Sequence, residues 1–299
     1  MTIHTVHIAR SLPDALARLD EGFVPLAGGT DLLPRVKHGV LADAAFVAIG
    51  RLVELREIHR DGDSLRVGSA VTLGRLSRSS VCPQWLRREC MEVATPRVRE
   101  LATLGGALLQ EGRCRFLNRP LHWRRSSGPC FRTGGTRCHA GGERCWAQQR
   151  SLLGTVLLAA GASINLITPA GAETIALRAL YPDDAGPCRR GGILSEILIP
   201  CLDDDAVAVE TLRRRGSIDF HDLVVAGTRH EGTRDLSIAI GAALPYPRRV
   251  PLPWECSDDV VAQSAEAAIP AVQTGRFEAS YVRHATAVLM RRVTARLLP

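Results

Sequence analysis

The chain has 299 residues, 45% of them apolar, so it can bury a sizeable core, and we expect two or three compact units. Its longest apolar stretches are less than half of the roughly 20 residues that span a bilayer, and its first residues lack the pattern of an export signal, so we expect a cytoplasmic protein without membrane insertion. The formal charge of +7 comes from scattered arginines and aromatic residues make up only 4%, which favours docking of an acidic protein or an anionic cofactor over nucleic acid.

The first predicted element is a helix that begins after Ser11. Ser11 can cap this helix, Pro13 suits its first turn, and its apolar residues share one face until Gly22 ends it. A short apolar run over residues 23–27 then enters a pair of glycines. This pattern predicts a strand, a tight turn and a second helix.

The later elements mix strands with helices, which predicts an α+β fold. Strands are expected at residues 44–49, 64–68, 163–167, 173–177 and 193–200, and helices at residues 71–76, 85–93, 152–162 and 277–298. In the last helix the amphipathic pattern places on one face Tyr281, Ala285, Val288 and Leu289. We expect a domain boundary in the loop over residues 182–192. Residues 112–142 are rich in glycine and arginine and show no apolar periodicity, so we expect an irregular insert with a function.

Two segments place a pair of glycines directly after an apolar run. Paired glycines allow positive φ and close approach, so successive backbone N–H groups can converge on a pyrophosphate, with a threonine hydroxyl as a further donor. The candidate cofactor-binding residues are, in the first glycine loop (residues 27–32), Ala27, Gly28, Gly29, Thr30, Asp31 and Leu32, and in the second glycine loop (residues 103–106), Thr103, Gly105 and Gly106. An ordinary turn between packed elements is the alternative for each pair. Neither loop has the G-x-G-x-x-G spacing of a nicotinamide-binding Rossmann fold.

Six segments match one protein family in the same order along the chain. They are Ala27-Gly-Gly-Thr-Asp-Leu32, Val67-Gly-Ser-Ala-Val-Thr-Leu73, Thr103-Leu-Gly-Gly106, Leu157-Leu-Ala-Ala-Gly-Ala162, Ile193-Leu-Ser-Glu-Ile-Leu-Ile-Pro200 and Tyr281-Val-Arg-His-Ala-Thr-Ala-Val-Leu-Met-Arg-Arg292. The chain resembles the medium, FAD-binding subunit of the molybdenum hydroxylases, which include xanthine dehydrogenases, carbon monoxide dehydrogenases and 4-hydroxybenzoyl-CoA reductases.

The resemblance implies an α+β fold in which a two-subdomain FAD-binding region (PCMH/VAO-like) precedes a C-terminal α+β flavoprotein domain. The two subdomains would span residues 1–55 and 56–187, and the C-terminal domain residues 193–299. FAD is the implied cofactor, with its diphosphate gripped by the two glycine loops.

Three positions depart from the family pattern. Ala107 follows the second glycine pair where the family usually has Asn, Leu152 stands where it usually has Asp, and residues 209–212 lack its usual Tyr and Lys. These departures leave open a different class of function, in which a divergent relative keeps the fold as a flavin-free assembly or scaffold protein.

Four of the nine cysteines lie in the irregular segment, here called the cysteine insert (residues 112–146). The candidate metal ligands, separated by fifteen, seven and six residues, are Cys114, Cys130, Cys138 and Cys145. No C-x₂-C knuckle occurs, which makes structural zinc a weaker candidate than a [4Fe–4S] cluster held by four thiolates. A cysteine-rich surface loop without metal is the alternative.

The resemblance favours a [4Fe–4S] cluster over structural zinc and over a loop without metal. The flavin subunit of 4-hydroxybenzoyl-CoA reductase has an insert with four cysteines at this position, so the resemblance implies a [4Fe–4S] cluster on the four cysteines, with its charge offset by Arg115, Arg132, Arg137 and Arg144. We expect the other five cysteines to be packed or surface thiols. Isolated histidines such as His38, His122 and His139 are expected to be structural.

No side-chain set typical of hydrolytic or acid–base catalysis stands out, so we expect electron transfer through cofactors. The resemblance is closest to the β subunit of 4-hydroxybenzoyl-CoA reductase. It implies an oxidoreductase subunit that receives electrons from ferredoxin and works with a large molybdopterin subunit and a small [2Fe–2S] subunit. That complex would remove the phenolic hydroxyl of an aromatic CoA thioester during aromatic compound degradation. The rival enzyme is a hydroxylase of the aldehyde, xanthine or carbon monoxide dehydrogenase type.

Overall fold

The computed structural model describes residues 5–41, 44–181, 191–216, 218–230, 235–273 and 275–298. These residues form two compact units, and each unit is assembled from separate stretches of the chain. Unit 1 draws on residues 1–109, 162–180 and 188–201, and unit 2 draws on residues 110–161, 181–187 and 202–299.

Both units contain strands and helices, which confirms the predicted α+β class. The strands are β1 (Val6–Ile8), β2 (Val24–Leu26), β3 (Phe46–Ala48), β4 (Ile58–Asp61), β5 (Ser64–Gly68), β6 (Ser163–Thr168), β7 (Gly171–Ala176), β8 (Ile193–Pro200), β9 (Val207–Leu212), β10 (Leu223–His230), β11 (Asp235–Gly241) and β12 (Arg248–Pro253). The helices are α1 (Leu12–Asp20), α2 (Leu32–Lys37), α3 (Leu73–Arg78), α4 (Gln84–Glu92), α5 (Pro96–Arg99), α6 (Leu104–Leu108), α7 (Leu121–Ser127), α8 (Leu152–Ala159), α9 (Asp258–Ala268) and α10 (Ala279–Leu297). Among the residues described, every helix falls short of the length and apolar character that crossing a bilayer requires.

Helix α1 begins where its capping residues predict. The Ser11 hydroxyl accepts a hydrogen bond from the Asp14 amide over 3.3 Å, and Pro13 occupies the first turn. The chain leaves the helix at Gly22, whose φ of +87° is one that glycine adopts without strain. Ala15 is fully buried, so the apolar face of α1 is the face that packs.

Unit 1 contains two sheets. A three-stranded parallel sheet has the order β1-β3-β2, and a five-stranded antiparallel sheet has the order β4-β5-β8-β6-β7. One apolar cluster joins them, since it includes Ala15 of α1, Val47 of β3 and Ile193 of β8. The two sheets therefore share part of their core.

Strand β8 lies at the centre of the five-stranded sheet. Ile197 pairs with Val67 of β5 on one side and with Ile164 of β6 on the other. From the sequence we expect residues 193–200 to begin the C-terminal domain. In the structure β8 belongs to unit 1, where it pairs with β5 on one side and with β6 on the other.

The four-stranded antiparallel sheet of unit 2, with the order β12-β11-β10-β9, is covered on both faces. Gly227 and Thr228 are neighbours in β10 and so face opposite sides of the sheet. A Cβ on Gly227 would lie 2.5 Å from Val293 of α10, whereas the Thr228 hydroxyl donates to the Ala159 carbonyl of α8 over 2.8 Å. The sheet is thus enclosed between α10 and α8.

All eight residues of helix α8 are buried. Gly241 of β11 allows the helix to approach the sheet, because a Cβ there would lie 1.9 Å from the Thr155 Oγ1. From the sequence we expect residues 152–162 to belong to the second FAD-binding subdomain. The structure packs α8 in unit 2, where it covers the sheet face that carries Thr228 and Gly241.

The predicted C-terminal helix is present as α10, but its buried face differs from the predicted one. Tyr281 is 45% exposed, and the fully buried positions include Thr286, Met290, Val293 and Leu297. Thr286 can lie in this face because its hydroxyl donates to the Val282 carbonyl over 2.7 Å. A polar residue that satisfies its hydrogen bond locally is invisible to a count of apolar residues.

Candidate functional site

The first glycine loop connects β2 to α2 in unit 1. Gly29 has a φ of +70°, in the left-handed region, and its carbonyl accepts from the Leu33 amide over 2.9 Å. Within the described part of the chain, the amides of Gly28, Gly29 and Thr30 donate to no protein acceptor. Three successive amides of this kind suit an anionic oxygen ligand.

The second glycine loop uses its amides within the fold. The Gly105 amide donates to the Ser69 carbonyl over 2.9 Å, and the Gly106 amide donates to the Thr103 hydroxyl over 3.2 Å. A Cβ on Gly105 would lie 2.7 Å from the Cβ of Ser69, so this glycine is required for packing. The loop therefore offers an exposed surface without side chains at Gly106 rather than the converging amides expected from the sequence.

The first glycine loop packs against the segment that leads into the second. A Cβ on Gly28 would lie 1.8 Å from the carbonyl oxygen of Leu101 and 3.4 Å from the Cα of Ala102, directly before Thr103. Only glycine at position 28 permits this contact. The free amide donors of the first loop therefore belong to a loop that packs against the segment leading into the second, and this arrangement fits the diphosphate of the expected FAD.

The remaining candidate residues of the first loop frame its two ends. The carbonyl of Ala27 packs against Gly50, where a Cβ would lie 3.1 Å from that oxygen. Asp31 occupies the N-cap position of α2, and Leu32 is the first residue of that helix. The departures from the family pattern lie elsewhere: Ala107 belongs to α6, and Leu152 is buried at the start of α8 in unit 2.

The cysteine insert lies in unit 2 and is more regular than its sequence predicts. It contains α7 and a single 3-10 turn over Phe131–Thr133, which ends at Gly134 with a φ of +86°. Its base is closed by reciprocal backbone hydrogen bonds between Arg113 and Gln148, at 2.7 and 2.9 Å. Helix α7 was missed because Arg and Ser rather than apolar residues follow its single Trp, so no apolar stripe marks it.

Three of the four candidate cysteine ligands accept hydrogen bonds at sulfur. The Sγ of Cys114 accepts from the Phe116 amide at 3.3 Å, and the Sγ of Cys145 accepts from the Ala147 amide at 3.4 Å. The Thr133 hydroxyl donates to the Sγ of Cys130 at 3.6 Å. Donors aimed at sulfur are the outer contacts that iron–sulfur ligation uses, so this donor set fits a cluster.

Cys114 also has Cys138 and Cys145 as electrostatic neighbours. Burial raises the pKa of the Cys114 thiol, and the two neighbouring sulfurs raise it further. Among the described residues, no three Cys, His, Asp or Glu side chains converge closely enough to hold a single metal ion. A [4Fe–4S] cluster separates its thiolates more widely than one ion does, because each thiolate binds a different iron.

Arg132 is a largely buried cation of the insert, with 12% of its side chain exposed. Its Nε donates to the Sγ of Cys145 over 3.4 Å, and its Nη1 forms an ion pair with Glu111. Burial opposes the charged form, but the Glu111 carboxylate and the Cys145 sulfur together raise the pKa of Arg132 above its ordinary value. The side chain therefore stays charged beside a candidate ligand.

The other cysteines and histidines have structural surroundings. Burial raises the pKa of the Cys82 and Cys90 thiols, and Cys201 accepts from the Arg60 Nε over 3.2 Å. His139 lies 3.0 Å from the Gly128 carbonyl through its Nε2. Cys256 is partly buried, and Cys188 lies outside the described residues.

Comparison with protein families gives one model that matches two thirds of the chain. The family is described as "FAD binding domain in molybdopterin dehydrogenase", and the match covers residues 2–202.

Among curated proteins, the chain is 38% identical over 106 residues to the xanthine dehydrogenase FAD-binding subunit of Escherichia coli O157:H7. It is 37% identical over 106 residues to a putative xanthine dehydrogenase FAD-binding subunit of Escherichia coli strain K12. Each match covers 33% of this chain and 36% of the relative, so the chain spans about a third of the curated relatives' length.

Two solved structures share the fold over the full chain. Reconstituted carbon monoxide dehydrogenase from Oligotropha carboxidovorans gives a TM-score of 0.76 at 21% identity, covering 99% of this chain and 98% of that one. Quinoline 2-oxidoreductase from Pseudomonas putida 86 gives a TM-score of 0.70 at 17% identity, covering 100% and 99% of the two chains.

Proposed function

Because this chain belongs to the family of FAD binding domains of molybdopterin dehydrogenases, we propose that it is the flavin-carrying electron-transfer subunit of a molybdopterin enzyme. The observation that carries the proposal is the contact between the first glycine loop and the segment that leads into the second. Gly28 is packed under Leu101, and the amides of Gly28, Gly29 and Thr30 have no acceptor among the described residues.

In this proposal the first glycine loop binds the diphosphate of FAD. Hydrogen bonds to a charged group contribute about 1.5–3 kcal/mol each, so three amides supply a substantial part of the affinity. The second glycine loop holds the first in position and keeps side chains away from the phosphates. Bound FAD supplies electron transfer in steps of one or two electrons, a chemistry that no side chain offers.

We further propose a [4Fe–4S] cluster on Cys114, Cys130, Cys138 and Cys145. Its support is the set of N–H and O–H donors aimed at three of these sulfurs, together with the buried charge of Arg132. Cationic and N–H neighbours stabilise the added negative charge of a reduced cluster.

With this cluster, the chain fits a complex of the 4-hydroxybenzoyl-CoA reductase type. Its partners would be a large molybdopterin subunit and a small [2Fe–2S] subunit, and ferredoxin would donate the electrons. The substrate would be an aromatic CoA thioester bound by the large subunit, and the complex would be cytoplasmic.

A second candidate is a hydroxylase of the xanthine or carbon monoxide dehydrogenase type, without iron in this chain. It is favoured by the curated relatives, which are named as xanthine dehydrogenase FAD-binding subunits. The two candidates share the flavin and differ in the role of the cysteine insert.

Anaerobic purification of the chain with its partner chains separates the candidates. Flavin together with about four irons assigned to this chain supports the reductase type. Flavin with iron only in the small subunit supports the hydroxylase type. A preparation without flavin refutes the electron-transfer role and leaves the scaffold alternative. The matched variant Cys130→Ser should lose the irons of this chain while keeping the flavin, because the glycine loops belong to unit 1.

A further inference from the structure

The net charge of the chain is concentrated in the cysteine insert. Residues 112–146 contain eight arginines and one glutamate, which gives a net charge of +7 and equals the formal charge of the whole chain. The remaining residues are therefore neutral in sum. Outside the insert, arginine and lysine together equal the carboxylates in number, whereas within it eight arginines stand beside one glutamate.

Most arginines of the insert lie on the surface of unit 2. The exposed ones are Arg115, Arg119, Arg125, Arg137 and Arg144. The carboxylate at the edge of the insert, Glu111, is occupied by the buried Arg132, and the single glutamate within it is the exposed Glu143. In the described residues, Arg115, Arg119 and Arg125 have no carboxylate partner.

Aromatic rings hold several of these guanidinium groups. Arg115 lies 5.0 Å over the ring of Phe116, Arg119 lies 5.5 Å over Trp123, and Arg144 lies 4.1 Å over Trp146. Such contacts occur about once per 70–80 residues in ordinary proteins, and here three fall within one short insert. A guanidinium already stacked on a ring loses less side-chain entropy when a partner binds.

The basic surface extends from the insert to one end of the four-stranded sheet. Arg113 lies 4.7 Å over the ring of Phe220, in the loop between β9 and β10, and the Gln149 amide donates to carbonyls of the loop between β11 and β12. The register pairs Val224 with Gly241, so both loops are at the same end. This end adds exposed arginines and two exposed apolar residues, namely Arg214, Arg215, Arg248, Arg249, Ile218 and Phe220.

We propose that this arginine surface, formed by the insert and these two loops, docks an acidic protein. The proposal rests on the proposed function in one respect, since a ferredoxin of net negative charge is the acidic protein that this function requires. Complementary charge steers the encounter, and arginine with aromatic residues is the composition of interface hot spots. A nucleic acid fits less well, because guanidinium groups cover rings on which bases would stack.

The test measures binding of a strongly acidic [4Fe–4S] ferredoxin to the anaerobically purified complex, after its flavin and iron have been quantified. The variant R115Q/R119Q/R125Q removes three charges from the arginine surface. The matched control R10Q/R56Q/R178Q removes three exposed arginines from unit 1. Binding is compared at about 0.01 M and 0.15 M salt, where the Debye length falls from about 30 Å to about 8 Å.

We expect the surface variant to raise the Kd for ferredoxin about tenfold or more at low salt and to flatten its salt dependence. The control should stay within about threefold of the wild type. Equal Kd values for the two variants, or no ferredoxin binding by the wild type, would overturn the docking surface. Tighter binding of duplex DNA or of phosphatidylserine vesicles, lost in the surface variant alone, would overturn it in favour of another partner. Missing flavin or iron would refute the proposed function while the binding comparison still decides the surface.

Discussion

The Nε of Arg132 donates to the Sγ of Cys145 over 3.4 Å, and the same guanidinium is paired with Glu111. The carboxylate fixes the arginine and leaves its charge beside the sulfur. Such a donor stabilises a thiolate ligand most when the attached cluster is most negative, which is its reduced state.

Replacing Arg132 with Gln should therefore lower the midpoint potential of the proposed cluster. Each ~1.4 kcal/mol of lost stabilisation of the reduced state corresponds to about 60 mV for one electron. An EPR-monitored redox titration measures this shift, and iron analysis shows whether the cluster is retained. Arg178→Gln is the matched control, since Arg178 is exposed and belongs to unit 1 rather than to the cysteine insert. Equal potentials in both variants and the wild type would remove Arg132 from this role.

Replacing Gly28 with Ala should weaken flavin binding. The new Cβ would lie 1.8 Å from the Leu101 carbonyl oxygen, which is backbone and cannot rotate away. Relief of such overpacking typically costs about 1–3 kcal/mol and would separate the two glycine loops. The FAD content per chain after desalting, measured well below the unfolding temperature, reports the loss. Gly216→Ala is the control, because a Cβ there meets no atom within 4 Å.

Replacing Gly241 with Ala should destabilise unit 2, because the Cβ would lie 1.9 Å from the Thr155 Oγ1. We expect a loss of about 1–3 kcal/mol in the free energy of unfolding. Thr155→Ala removes the colliding hydroxyl, so the double variant should be less destabilised than the sum of the two single variants. Chemical denaturation of all four proteins closes this cycle. Strict additivity of the two effects would show that the Thr155 side chain does not limit how closely α8 approaches the sheet.

Buried cysteines should react with a thiol reagent more slowly than the accessible cysteines. Burial raises the pKa of the Cys82 and Cys90 thiols, so at a given alkaline pH less thiolate is present at either than at an ordinary cysteine. Iodoacetamide at pH 8, followed by mass spectrometry, should label neither in the folded chain and both after unfolding. In iron-free chain Cys130, Cys138 and Cys145 should be labelled, with Cys114 slower because burial raises its pKa, and in iron-loaded chain all four should be protected. Labelling of the insert that is independent of iron would contradict the cluster.

Local chemistry made several elements predictable. Helix α1 follows from the cap at Ser11, and β8 has the bounds expected from its continuous apolar run. The contact between the glycine loops could be expected only through the family resemblance, because Gly28 and Leu101 are far apart in sequence. No local sequence pattern predicts which backbone segment a glycine will pack against.

Long-range pairing explains what the sequence did not predict. The apolar run that forms β8 has the same sequence pattern whether the strand begins a new domain or pairs with strands that come earlier in the chain. Strands β9 to β12 were not anticipated, since much of their length carries polar or small residues, such as Thr228 and Ser237, that face α8. The positive charge was also predicted to be spread along the whole chain. A count over all residues does not show that the insert holds few carboxylates.

The placement of α8 has a consequence for synthesis on the ribosome. The helix ends at Ala159, and the strand that covers it, β10, ends at His230, about 70 residues later. At about 5–20 residues per second, a helix whose residues are all buried in the folded chain emerges roughly 3–15 s before β10 is complete. During that interval the nascent chain presents a binding site for chaperones, and slowing translation between the two elements should increase capture of the unfinished polypeptide.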